Sequence, residues 1–296
     1  MDKIISNIVN NKDLKQKSIQ EYSKKIKVIF NKLFDGNYDI KNLYKFRKVK
    51  QFLSNINPHT AKLYVVVIIN ILKTNNKRIR KDVLARYEKL FNSLKSKINS
   101  NYDTQEKSKK ELENWIEYPE IISKRDNLYN TIQNTNVSAK NYKDLYQQYV
   151  ILCLYTYIPP IRNNFVKTKF SKWSGGNYFD LDNHIFHLNN YKTDKIYGQK
   201  QIELPPKLVQ ILKKWKTICN CEWVLMNFRT NTPMESTNFS KFVNKIFYPR
   251  KISSTIIRKS YLSYKYPVNH TINDMKKDAN IMGHSIAIQQ TIYRKK

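Results

Sequence analysis

The chain has 296 residues, 41% of them apolar, with 54 Lys and Arg against 23 Asp and Glu for a formal charge of +31. That length holds one large domain or two ordinary ones with a real core, and the apolar share excludes a disordered polycation. Charge on this scale repels itself and calls for a polyanionic partner, of which nucleic acid is the usual one. A membrane partner is not expected: the longest apolar runs, Leu63 to Leu72 and Tyr149 to Ile158, fall short of the roughly 18–20 residues that span a bilayer. The N-terminus lacks the apolar core and cleavage site of a signal peptide, so an intracellular protein is expected. Three cysteines exclude a disulfide framework. Cys219-Asn220-Cys221 has no second pair to complete a zinc site, Cys153 reads as packing, and no metal or cofactor is expected.

From about Ser18 to Thr104 the pattern is helical. Ser18-Ile19-Gln20-Glu21 reads as a capping box, followed by Ile19, Tyr22, Ile26, Ile29, Phe30 and Leu33 at helical spacing. Gly36-Asn37 breaks the pattern. Leu43, Phe46, Val49, Phe52 and Leu53 give a second helix, ended near Asn57-Pro58. Thr60 is placed as the cap of a third, apolar round most of its surface and so the centre of a small bundle. Lys77 to Lys81 reads as a basic loop and Val83 to Ile98 as a fourth helix. The polar stretch from Asn99 to Lys107 reads as the end of that helix passing into a linker. The expected domains are 1–104, a linker at 105–116, and 117–296.

The second region is mixed, giving a mainly α fold with a small β-sheet (α+β). Tyr142 to Tyr157 is a strong helix stopped by Pro159-Pro160. Tyr178 to Leu188 reads as a hairpin turning at Asp182-Asn183, and Gln201 to Leu204 as another strand. Helical patterns resume at Leu208 to Ile218, Asn238 to Phe247, Ser254 to Tyr264, Ile272 to Met282 and Ile286 to Tyr293. His184 and His187 are a faint metal pair at most, because residues three apart in a strand face opposite sides.

Phosphodiester transfer without a metal needs a nucleophile, donors for the non-bridging oxygens and an acid for the leaving oxygen. Arginine suits the second role through its planar, permanently charged fork. Arg162 follows the double proline, Lys192 lies between two strands, Arg258 sits mid-helix, and Gly283-His284-Ser285 precedes Tyr293 by the nine residues from His to Tyr. Lys195 competes with Lys192 for the place of the lysine.

In this order the residues resemble the catalytic domain of the tyrosine recombinases, the phage-type integrases. Leu154 to Asn164, with Pro159-Pro160-Ile161-Arg162, resembles the family's first box and looks most like members from large DNA viruses and their mobile elements. Lys192-Thr193 with Ile202 to Pro205 resembles its lysine hairpin, and Met282 to Tyr293 its last box. The resemblance covers about 117–296, with 18–104 similar in pattern to the family's core-binding domain. It implies that Tyr293 attacks the scissile phosphate to give a 3′-phosphotyrosyl link. Arg162, Arg258 and His284 would hold the non-bridging oxygens and Lys192 would protonate the departing oxygen, without metal or ATP. It also implies integration or excision of a viral or mobile element, by a monomer that becomes a homo-tetramer in a synaptic complex on DNA.

The chain departs from the family at two inner positions. Thr255 stands where a His or Lys is usual, three residues before the second Arg, and cannot take up a proton near neutral pH. Phe165 stands where an acidic residue is usual, leaving Asn164 as the nearest group to orient Arg162. His270, twelve residues past Arg258, is a poor substitute base.

Double-stranded DNA is the expected partner on charge alone. Lys45, Arg47, Lys48, Lys77, Arg78, Arg80 and Lys81 load the small domain, and Lys107, Lys109 and Lys110 the linker. If roughly eight phosphates are contacted, affinity should fall by about four decades between 50 and 200 mM salt. Two alternatives stay open: a type IB topoisomerase, which shares the Arg, Lys, Arg, His, Tyr chemistry, and a DNA-binding protein whose catalysis has decayed.

Overall fold

Two hydrophobic cores form along the chain, and by contact it divides into two compact units, Met1–Thr104 and Gln105–Lys296. The computed structural model describes residues 1–10, 16–75, 80–266 and 272–295. Lys77, Arg78 and His270 lie outside the described residues.

In the first unit α1 (Asp2–Asn10), α2 (Gln16–Phe34), a 3-10 turn at Ile40–Tyr44, α3 (Phe46–Ser54), α4 (Pro58–Asn75) and α5 (Lys81–Asp103) make a bundle. Helix α4 is its centre: Val65, Val67, Ile68, Ile71 and Leu72 are fully buried, and α1, α2, α3 and α5 all pack on it. Two expected caps are corrected. Ser18 lies inside α2, not before it, because nothing in Gln16-Lys17 breaks helical geometry. Thr60 is likewise inside α4. Asn57 caps that helix, its Oδ1 accepting from the His59 N–H at 2.9 Å, while Pro58 opens the first turn where no N–H is needed.

The second unit begins with α6 (Lys109–Glu113), which falls inside the stretch expected as linker, and α7 (Tyr118–Gln133). Helix α8 (Tyr142–Thr156) is buried almost all round, which is why its sequence reads as apolar on every face. Strands β1 (Tyr178–Asp180), β2 (Ile185–Leu188) and β3 (Lys200–Glu203) form an antiparallel sheet in that order, with Asp180 opposite Ile185 and Ile185 opposite Glu203. A short helix, α9 (Asp194–Tyr197), fills the loop between β2 and β3.

Helix α10 (Pro206–Cys219) packs on α8, and a two-stranded ribbon of β4 (Met226–Asn227) and β5 (Thr232–Pro233) follows. Buried Gln147 of α8 pins the ribbon, its amide giving to the Met226 carbonyl at 3.0 Å and accepting from its N–H at 2.7 Å. The chain ends with α11 (Ser236–Ile246), α12 (Ser254–Lys265), α13 (Ile272–Met282) and α14 (Ile286–Ile288), the last running into a π-helical turn at Gln289–Tyr293. The fold is mainly α with a small antiparallel sheet. Among the described residues no helix is long and apolar enough to cross a membrane. His184 is a turn residue with φ of +58°, while His187 stacks on Tyr178 at 4.3 Å.

Candidate active site

The Gly283-His284-Ser285 triplet has a local structural cause. Gly283 terminates α13 in the left-handed region, φ +69°, donating to the Asn280 carbonyl at 3.1 Å while His284 donates to Ala279 at 3.0 Å. This pair of bonds is a Schellman motif, for which glycine is the least strained choice. Ser285 then caps the next helix, its Oγ accepting from the Ile288 N–H at 3.3 Å. One residue stops a helix, one starts the next, and His284 is held between them pointing inward.

His284 is buried against α12. The Arg258 guanidinium, wholly inaccessible to solvent, donates from Nη2 to His284 Nδ1 at 2.8 Å and to the Met282 carbonyl at 3.2 Å. Tyr293 packs between these groups, its ring 5.0 Å from the imidazole at 18° and 4.5 Å from the guanidinium carbon of Arg258. Its hydroxyl accepts from Arg162 Nη2 at 3.1 Å. Four residues from three distant stretches of sequence thus meet in one cluster.

The electrostatics follow from burial beside like charge. Desolvation, then the Arg258 and Arg162 charges, hold the His284 pKa down to about 3, so the imidazole is neutral near pH 7. Its Nδ1 accepts from Arg258, so the single proton sits on Nε2. That Nε2, with Nε and Nη1 of Arg258, is buried and has no hydrogen-bond partner among the described residues. The buried Gln289 amide lies close enough to favour the charged imidazole slightly, without reaching hydrogen-bonding geometry. Burial lowers Arg258 to about 10, still protonated at neutral pH. Buried donors are nearly always paired, so three without partners on two side chains in contact are an exception that asks for a functional cause.

The lysine hairpin is anchored to the same point. Thr193 Oγ1 donates to the Gly283 carbonyl at 3.1 Å, and a Cβ on Gly283 would meet that hydroxyl at 3.1 Å and the Tyr191 ring at 3.3 Å. Lys192 is exposed one residue before this contact, and Lys195 is exposed on α9. Lys200 on β3 has no distinguishing signal in the sequence. It is largely buried, lies over the Tyr191 and Tyr197 rings at 5.5 and 5.2 Å, donates to Asn280 Oδ1 at 2.9 Å and also contacts the Asn280 carbonyl. Burial depresses its pKa.

Asn177 ties the two loops together and was also not anticipated. Its Nδ2 donates to the Asn164 carbonyl at 3.1 Å and the Asn190 carbonyl at 3.0 Å, while its Oδ1 accepts from the N–H groups of Asn189 and Asn190 at 2.9 and 2.8 Å. Every hydrogen-bonding position of the amide is used. Gly176 beside it has to be glycine, since a Cβ there would overlap the Trp173 indole.

Two residues stand apart. Thr255 is exposed in the first turn of α12, and it is Ser254 that reaches the Arg162 loop, donating to Asn163 Oδ1 at 2.6 Å. Phe165 is buried between Tyr155 and Phe186, so an apolar core contact replaces an acidic partner for Arg162. Asn164 meets Asn177 and Thr168 through its carbonyl, with no side-chain bond to Arg162 among the described residues.

The basic residues of the first unit are exposed at Lys45, Arg47, Lys48, Arg80 and Lys81, with Arg80 gripping Asp82 at 3.0 and 3.2 Å. In the second unit Lys109 and Lys110 are exposed, and Lys107 lies 4.5 Å over the Trp115 ring. Among the described residues no cluster of His, Cys, Asp and Glu could hold a metal.

No family model and no curated protein matches the sequence. Among solved structures the chain is similar to the crystal structure of XerA recombinase, with a TM-score of 0.43 and 11% identity over 99% of this chain and 94% of that one.

Proposed function

We propose that the chain cuts and rejoins DNA strands through a 3′-phosphotyrosyl intermediate, as a tyrosine recombinase. One observation carries this reading: two buried basic side chains packed on the Tyr293 ring, Arg258 and His284, keep unpartnered donors at Arg258 Nε and Nη1 and His284 Nε2, while the Tyr293 hydroxyl accepts from Arg162. A phosphodiester supplies the negative charge and acceptor oxygens that such donors complement. Tyr293 Oη forms the bond to phosphorus as its proton passes to solvent, and the bond from phosphorus to the 5′ oxygen breaks. That oxygen takes a proton from Lys192 on the hairpin loop. Thr255 takes no part in proton transfer. His284 acts as a neutral donor from Nε2, since its Nδ1 is occupied by Arg258.

On this reading residues 1–104 form a DNA-clamping domain and 117–296 the catalytic domain, with the exposed lysines and arginines of both contacting phosphates. The Pro-Pro-Ile-Arg box supports a mobile or viral element as the substrate, recombined by a tetramer assembled on DNA from free monomers. The test is a suicide-substrate trap. Nicked duplexes drawn from the DNA flanking the gene are run on a denaturing gel with wild type and Tyr293→Phe. An adduct lost in the variant is the expected result. An adduct that persists moves the nucleophile elsewhere, and salt-sensitive binding with no adduct leaves a DNA-binding protein without catalysis.

A further inference from the structure

Gln105, where the second unit begins, is a non-glycine residue in the left-handed region, with φ of +57°. It follows directly on the C-terminus of α5, a position that glycine or asparagine fills with less strain. Glutamine there is explained by its side chain. Its Nε2 donates at 2.8 Å to the carbonyl of Gln290, inside the π-helical turn and three residues before Tyr293. Carbonyls in the last turn of a helix lack partners within it. Here the Arg294 N–H reaches the Gln289 carbonyl, while the Lys295 N–H turns to Ser263 Oγ at 2.7 Å.

The residues after Gln105 hold the same elements. Lys295 Nζ donates to the Glu106 carbonyl at 3.2 Å, and Lys259, the neighbour of Arg258 on α12, is ion-paired with Glu111 of α6. Residues 105–111 therefore grip both the turn that carries Tyr293 and the helix that carries Arg258.

We infer that Gln105 is a positioning residue for Tyr293, fixing the π-helical turn so that the hydroxyl stays on Arg162. This rests on the proposed strand-cleavage function. A backbone strained at a residue whose side chain reaches the nucleophile's own turn is the pattern expected of a functional constraint.

The test measures single-turnover adduct formation on nicked duplex over a range of protein concentrations, for wild type, Gln105→Gly and Gln105→Glu. Glycine relieves the backbone strain and removes the donor; glutamate keeps the shape and sets an acceptor against the carbonyl. Loss of alignment should lower the maximal rate about tenfold in both, with half-saturating concentration within about twofold of wild type. The thermal midpoint of Gln105→Gly should equal or exceed that of wild type. A wild-type maximal rate in either variant overturns the inference, as does a rate loss accompanied by weaker DNA binding or a lower midpoint in Gln105→Gly. If wild type itself gives no adduct that Tyr293→Phe removes, the strand-cleavage reading fails and the inference falls with it. An adduct formed equally by wild type and the Gln105 variants overturns the inference alone.

Discussion

Arg258 donates to Nδ1 of His284 at 2.8 Å, and this one bond settles which imidazole nitrogen carries the proton. It also sets a guanidinium that is protonated at neutral pH against a titratable imidazole in a buried cluster, and the pH behaviour of that cluster follows.

The folded-state pKa of His284 is depressed to about 3, against an ordinary value near 6.5. The unfolded chain therefore binds a proton that the folded chain refuses once pH falls below about 6.5. The stability contributed by the neutral imidazole is complete above that pH and declines down to about pH 3, by at most about 1.4 kcal/mol per pH unit. Thermal melts at pH 7.5 and 4.5 should show a larger drop for wild type than for His284→Gln. Equal drops would disprove the depressed titration.

Replacing Arg258 by Met should separate stability from chemistry. Met removes a costly buried charge with two unpartnered nitrogens but leaves His284 Nδ1 and the Met282 carbonyl without their donor, so the two effects offset and stability should stay within about 2 kcal/mol of wild type. Adduct formation should fall by about two to three decades, as for the loss of one pre-organised donor. A variant that is both unstable and active would contradict the role given to this residue.

The same orphan donors predict anion binding without DNA. Inorganic phosphate or sulfate at millimolar concentration should raise the thermal midpoint above that in chloride of equal ionic strength, by mass action on the folded state. The rise should vanish in Arg258→Met. An equal rise in both proteins would place the anion on the lysine-rich surface.

Asn177→Ala leaves two backbone N–H groups and two carbonyls of adjoining loops without their partner. A loss of about 2–4 kcal/mol is expected in urea denaturation, since unsatisfied buried groups cost more than a hydrogen bond gains. Cleavage should fall further than stability alone explains, because Arg162 and Lys192 sit on the two loops so joined. A near-neutral midpoint would show that water replaces the amide.

Gly283→Ala puts a side chain into the left-handed region, at a cost of about 1–2 kcal/mol, and presses on Thr193 and Tyr191. Reduced stability together with a slower cleavage step is expected, read by melting and by the nicked-substrate trap. An unchanged cleavage rate would mean that the hairpin anchor plays no part in placing Lys192.

Elements with a strong local signal were legible in the sequence. Tyr142–Thr156 and Ile272–Met282 stand where apolar periodicity places them, and the turn between β1 and β2 falls at Asp182-Asn183. Helix α7 was not anticipated, its periodicity being weak, nor was the ribbon of β4 and β5, whose strands of two residues are too short to show an alternation. The ribbon depends on Gln147, from a stretch 79 residues away. The same limit applies at the site. Arg162, Arg258, His284 and Tyr293 could be picked out by residue type and order. Lys200, Asn177 and Gln105 could not, because a lysine or an asparagine in a chain this rich in both, or a lone glutamine at the end of a helix, announces nothing until distant backbone is brought beside it.

The π-helical turn at Gln289–Tyr293 closes its hydrogen-bonded ring from Arg294 N–H to the Gln289 carbonyl, one residue wider than an α-turn. Such a turn behaves as a single-residue insertion in an otherwise regular helix. Deleting one residue there would let ordinary α-helix form, with better packing along its axis, and would swing the aromatic ring off Arg162 and out from between Arg258 and His284. The contacts of Tyr293 with Arg162, Arg258 and His284 thus depend on an irregularity, so a shorter and more regular version of this segment would be the better helix and, on the proposed function, the poorer active site.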